Sequence, residues 1–129
     1  MTEAQRMVEE FHRRFDIVVA DRPCVPDEAT RALRVRLIQE EFEEFQQAMA
    51  QSDLQGMAKE LADLLYVVYG SAVSCGIDME PVFREVHRSN MSKVGGHKRE
   101  DGKWVKPPTY SPADLQAILA GQQAAERSP

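Results

Sequence analysis

Residues 36–49 read RLIQEEFEEFQQAM, and residues 59–70 read KELADLLYVVYG. The first stretch sets Glu40, Glu41, Glu43 and Glu44 among apolar residues at helical spacing. The second sets Glu60 and Asp63 at the entrance to an otherwise apolar run. With about 100° between successive helical residues, Ile38, Phe42, Phe45 and Met49 make one stripe, the expected core face. Leu37, Glu41, Glu44 and Ala48 make an adjacent stripe; Glu40 borders it and Glu43 points away, toward solvent. On the later helix Leu54, Met57, Leu61, Leu65, Val68 and Ala72 form the expected core stripe. Glu60 and Asp63 share their side with Gly56, Val67, Ser71 and Ser74, which are small or apolar. That helix has no lysine or glutamine after Lys59, so it reads as buried nearly all round, with its two acids at least partly buried.

Two consequences compete. Runs of charge are usually solvated faces, and a glutamate-rich surface helix beside an apolar one is the plain alternative. Carboxylates gathered in a low-dielectric site, however, cannot all stay ionised without a counter-charge. Protonation is one remedy and a divalent cation another. All-oxygen ligation suits a hard ion such as Mg²⁺, with Mn²⁺ the alternative, and i, i+3 spacing lets one ion reach several side chains. A di-iron bundle would want Glu-x-x-His pairs, which His12, His87 and His97 do not supply.

The rest of the chain supports a four- to five-helix, all-α bundle in one domain spanning residues 1–129. Thr2 with Gln5 is a capping box for a first helix carrying Met7, Val8, Phe11 and Phe15. DRPCVPDE then forbids helix through its two prolines. Asp27 caps a second helix to about Ala50, Ser52 with Gln55 opens a third ending near Gly76, and Asp78 caps a fourth with Pro81 in its first turn. From Ser92 to Tyr110 the periodicity stops, and Asp101-Gly102 suits a tiny hairpin. Ser111-Pro112 restarts a helix, and residues from about 122 to 129 read as a frayed tail. A formal charge of −5 without a long basic block argues against nucleic acid or an anionic membrane as main partner. Cys24 and Cys75 lack CxxC spacing and read as reduced, partly buried thiols; with no apolar leader, the expected location is cytoplasmic. The third helix is apolar on more sides than a short bundle covers, so a homo-oligomer is expected to form through the helices.

Glu41-x-x-Glu44, fifteen residues, then Glu60-x-x-Asp63 resembles the ExxE…ExxD signature of the all-α nucleoside triphosphate pyrophosphohydrolases. Glu40 extends it to EExxE, and VHRSNMSKVGG…GKWVKPPTYSPADL is similar to the MazG-like and phosphoribosyl-ATP pyrophosphohydrolase-like branch. The resemblance runs from Phe11 to Leu119. It implies Mg²⁺-dependent cleavage of a (d)NTP, with dUTP and purines such as dGTP among the candidates, into monophosphate and pyrophosphate. It implies that Glu41, Glu44, Glu60 and Asp63 hold metal, with Glu40 or Glu41 activating water. It nominates Asn90, Lys93 and Lys106 for the phosphates, with Arg88 and Lys103 as further rim bases. Tyr110 and Trp104 are nominated to cover the nucleotide, and His12, Asp16, Asp21 and Gln39 to contact the base. It also implies dimers or tetramers. His87 reads as structural, and Trp104 serves equally well as a loop anchor. Phosphoribosyl-ATP hydrolysis is an alternative with the same chemistry. A non-catalytic helical oligomer that binds metal for assembly is the alternative of another class.

Overall fold

The structure is a computed structural model that describes residues 1–125. They divide into two compact units, Met1–Met79 and a second that begins at Glu80. Five helices and one two-stranded ribbon make up the described residues, so the chain is all-α. No single helix among them is long and apolar enough to cross a membrane.

In the first unit, α1 (Glu3–Arg14), α2 (Glu28–Ala50) and α3 (Leu54–Cys75) pack with α3 against both others. The expected caps hold at two starts: Thr2 Oγ1 accepts from the Gln5 amide at 3.2 Å, and Asp27 Oδ1 from the Thr30 amide at 2.8 Å. At α3 the cap is Asp53 rather than Ser52, with its Oδ1 3.0 Å from the Gly56 amide. The end of α2 decides this. Asp53 N–H reaches back to Ala48 O and Ser52 N–H to Met49 O, at 3.2 Å each, which puts Ser52 at a φ of 52°. That crossed pair is a Schellman closure; it uses Ser52 as the left-handed residue and leaves capping to its neighbour. The end of α3 repeats the motif on Gly76, whose φ is 69°.

The interior of this unit is more polar than the periodicity suggests. Gln5, His12, Arg34 and Ser74 are buried beside Val8, Ala48, Ala72 and Val73. Gln5 donates to Ile77 O at 2.7 Å and accepts from the Met79 amide at 3.0 Å, supplying an acceptor at the start of α4. Arg34 crosses to α3, donating to Ser71 Oγ at 3.2 Å and Val67 O at 3.0 Å. Its guanidinium lies over Gly70, where a Cβ would collide with it.

The expected core stripes hold at Ala72, which is buried, and are corrected at several other positions. Phe42 and Met49 on α2 are about half exposed, and so are Leu61 and Leu65 on α3, while Leu54 is 80% exposed. The faces turned to each other inside this unit are instead those bearing Ala48 and Glu41 on α2, and Gly56, Glu60, Asp63 and Val67 on α3. Small residues let these two helices approach closely, and the bulkier apolar rows are left outward.

The second unit contains most of α4 (Met79–Met91), the ribbon β1 (His97–Lys98) and β2 (Trp104–Val105), and α5 (Gln116–Ala124). The strands pair antiparallel, His97 with Val105 and Lys98 with Trp104. Asp101-Gly102 does close the turn, with Gly102 at a φ of 90°. The last helix starts at Gln116, not at Ser111-Pro112. Residues 111–114 are held to α4 instead. Arg88 donates to Ser111 Oγ and Pro112 O, and Glu85 accepts from the Asp114 amide at 3.2 Å. The helix α5 continues through Ala124, so the first part of the expected frayed tail is helical and residues beyond 125 lie outside the described ones.

Candidate metal centre

Three-residue spacing on a helix places two side chains on one side, one turn apart. Glu41 and Glu44 project in this way from α2, Glu60 and Asp63 from α3, and the α2–α3 packing brings the pairs face to face. One carboxylate oxygen from each of the four lies within 4.8 Å of the other three. Glu41, Glu60 and Asp63 are half-buried, and Glu44 closes the solvent side. An open recess of about 420 Å³, lined by Gln47, Gln51, Asp53, Gly56 and Lys59 with Glu44 and Glu60, adjoins them.

The electrostatics of the cluster are unfavourable as it stands. Burial pushes the Glu41 carboxyl above its usual range, and repulsion from Glu44, Asp63 and Glu60 adds to it. Burial also raises Glu60, helped by its hydrogen bond with Glu44 and opposed by Lys59. Lys59 supplies the nearby positive charge, 2.6 Å from Asp63 and 3.6 Å from Glu60. Even so, Glu41 Oε2 and Glu60 Oε2 are buried without a hydrogen-bond partner. A divalent cation would satisfy both. The donors are all carboxylate oxygens, the ligand type that hard divalent cations take, and the four lie within 4.8 Å of one another.

The other nominated residues fall in different surroundings. Glu40 is exposed and outside the group of four, and Glu43 is exposed and bonded to Gln39 Nε2 at 3.3 Å. Gln39 lines an open groove along α2 with Arg31, Val35 and Arg36. His12 is 2% exposed, with Nδ1 3.0 Å from Val18 O, and burial holds its pKa below the usual value. Asp16 turns the chain after α1 at a φ of 59°, and Asp21 pairs with Arg13 at 3.5 Å.

In the second unit, Asn90, Lys93, Met91, Val94 and Trp104 line a concavity of about 350 Å³. The Tyr110 ring receives two ammonium groups, Lys106 at 4.8 Å and Lys93 at 5.7 Å from its centroid. Its hydroxyl accepts from Ser89 Oγ at 3.0 Å. Trp104 donates from Nε1 to Lys93 O at 2.6 Å, so it anchors the irregular segment as well as lining the concavity. His87 is exposed. Lys59 is the site residue that sequence reasoning passed over. Its signal was present, since it stands four residues before Asp63 on the same helix.

The all-α structure brings four carboxylates together around two buried oxygens without a partner, a group that could hold a metal ion. Residues 8–90 match the model of the phosphoribosyl-ATP pyrophosphohydrolase family, and the chain belongs to that family. It is therefore a nucleotide pyrophosphohydrolase of the all-α, MazG-like superfamily, a hydrolase acting on phosphoric anhydrides. Among curated proteins none matches the chain.

Proposed function

We propose that this protein is a Mg²⁺-dependent pyrophosphohydrolase of nucleoside triphosphates, (d)NTP substrates included, releasing (d)NMP and pyrophosphate. The observation that carries it is the tetrad Glu41, Glu44, Glu60 and Asp63, with two buried oxygens that lack a partner. Mg²⁺, or Mn²⁺ in its place, would neutralise the triphosphate, polarise the α-phosphoryl group and lower the pKa of the attacking water. The chain's own part is to hold that charge between two rigid helices. Glu41 or Glu40 takes the proton from water as general base. Glu41 lies within the cluster, and Glu40 is exposed on the same helix one residue before it. Lys93 and Lys106, gathered on Tyr110, and Asn90 are assigned to the phosphates. Base contacts are assigned to Asp16, Gln39 and Tyr110. His12 acts from behind them by fixing the end of α1.

The family match favours phosphoribosyl-ATP as a second substrate reading, with the same bond broken. A cytoplasmic homo-oligomer, dimer or tetramer, completes the proposal. Incubation of a (d)NTP panel and phosphoribosyl-ATP with Mg²⁺ tests it, reading monophosphate and pyrophosphate. The substrate with the highest kcat/KM decides between the readings. Glu44→Ala with Asp63→Ala lowers turnover by about 100-fold or more, the scale of losing a main electrostatic stabiliser. Glu43→Gln leaves it within about twofold, as expected of a surface change away from the site. Orthophosphate as the product, or an active double variant, defeats the proposal. Turnover lost in Glu43→Gln defeats the assignment of faces.

A further inference from the structure

Two cysteines lie side by side along the main chain where the connection between α1 and α2 crosses the C-terminal end of α3. The Cys24 amide donates to Cys75 O at 2.9 Å. Adding N–Cα of about 1.46 Å and O···Cα of about 2.4 Å to that bond keeps the two Cα atoms within about 6.8 Å. Disulfides span that range without backbone movement. The approach is fixed by the main chain on both sides. The Ala20 amide donates to Val73 O at 3.1 Å, and Ser74 Oγ donates to Val18 O at 2.9 Å. Gly76, in the left-handed conformation, packs so closely that a Cβ would strike Arg22 O. Both cysteines are free; Cys75 is half-buried as expected, but Cys24 is exposed rather than partly buried. Burial pushes the Cys75 thiol up and Cys24 adds to the rise, so the two side chains sense each other. Neither belongs to the acidic cluster.

We propose that Cys24 and Cys75 are a reversible disulfide pair that forms on exposure to hydrogen peroxide and ties the α1–α2 connection to the end of α3. The exposed Cys24 thiolate attacks the peroxide O–O bond, giving a sulfenic acid and releasing hydroxide. The Cys75 sulfur then attacks the Cys24 sulfur. The S–S bond forms, the S–O bond breaks, and the oxygen leaves as water with the Cys75 proton. Two thiols are oxidised and one peroxide is reduced to two waters; a dithiol reductant returns both thiols by exchange. The closed loop takes in all of α2 and nearly all of α3, so the bond restricts the unfolded chain and leaves the folded one in place.

The test treats the full-length protein with hydrogen peroxide, then maps peptides without reduction and records Tm before and after dithiothreitol. The expected result is an intrachain Cys24–Cys75 peptide, a mass lower by two hydrogens, and a Tm rise of several degrees that dithiothreitol reverses. Cys24→Ser, at an exposed position, folds as the reduced protein does and shows no rise; Cys75→Ala behaves alike. Links only between chains, sulfinic acid at Cys24 without the intrachain peptide, or the same Tm rise in Cys24→Ser would each overturn the proposal.

Discussion

Glu41 carries a buried carboxylate oxygen that no donor reaches, inside a cluster of like charges. Its folded pKa lies above the unfolded value, so the folded protein binds the proton more tightly. Without metal, the ionised group therefore costs stability at neutral pH, and that cost fades as pH falls through the folded pKa. Glu41→Gln should accordingly melt a few degrees higher than wild type at pH 7.5 in EDTA, with the gap closing toward pH 5. Adding Mg²⁺ should invert the order, because a ligand at 100 times its Kd stabilises the wild type by about 2.7 kcal/mol and the variant has lost a ligand. Melting curves at the two pH values, with and without metal, check both signs. An unchanged Tm on adding Mg²⁺ to wild type would remove the metal from the account. The convergence of the four acids was legible in the sequence because i, i+3 spacing puts each pair on one side of its helix. His12 was not. A histidine near a helix end reads the same whether it faces solvent or, as here, Val18 O and Gly70 in the interior.

Where elements begin and end, local sequence competes with the backbone that precedes it. Ser52 is as good a cap by type as Asp53, but the closure of α2 requires a left-handed residue and Ser52 occupies that position. Asp53→Ala should therefore cost about 1 kcal/mol in urea unfolding, whereas Ser52→Ala keeps the cap and pays only for the left-handed conformation. Ser52→Gly should be neutral or stabilising by up to about 1 kcal/mol, since glycine adopts positive φ freely. A Ser52→Gly loss equal to that of Asp53→Ala would show that Ser52 caps after all. The same competition explains α5. Ser111-Pro112 has the composition of a helix start, yet Glu85 and Arg88 hold residues 111–114 to α4 through contacts a local reading does not contain. Hairpin residues Asp101 and Gly102, by contrast, set their turn locally and were legible for that reason.

At the scale of the molecule, hydrophobic period identified the apolar rows of α2 and α3 but not what they face. A row that packs inside the chain and one that packs against another chain have the same spacing, and only the close α2–α3 approach through Ala48 and Gly56 distinguishes them. The outward rows hold Phe42, Met49, Leu61, Leu65 and Val68, all more than a third exposed. Fully burying a leucine contributes about 1.5–3 kcal/mol, so covering several half-exposed large residues would favour association against the repulsion of a net charge of −5 per chain. A homo-oligomer is then the expected state at micromolar concentration, and sedimentation or light scattering reads it. Leu65→Glu puts a charge on that face at a position 57% exposed in the single chain. It should lower the mass toward one chain while far-UV helicity is kept, because little intrachain packing is lost. A wild type that sediments as a monomer at 50 μM, a concentration chosen to be about tenfold above ordinary assay conditions, would mean the exposed rows have no partner of their own kind.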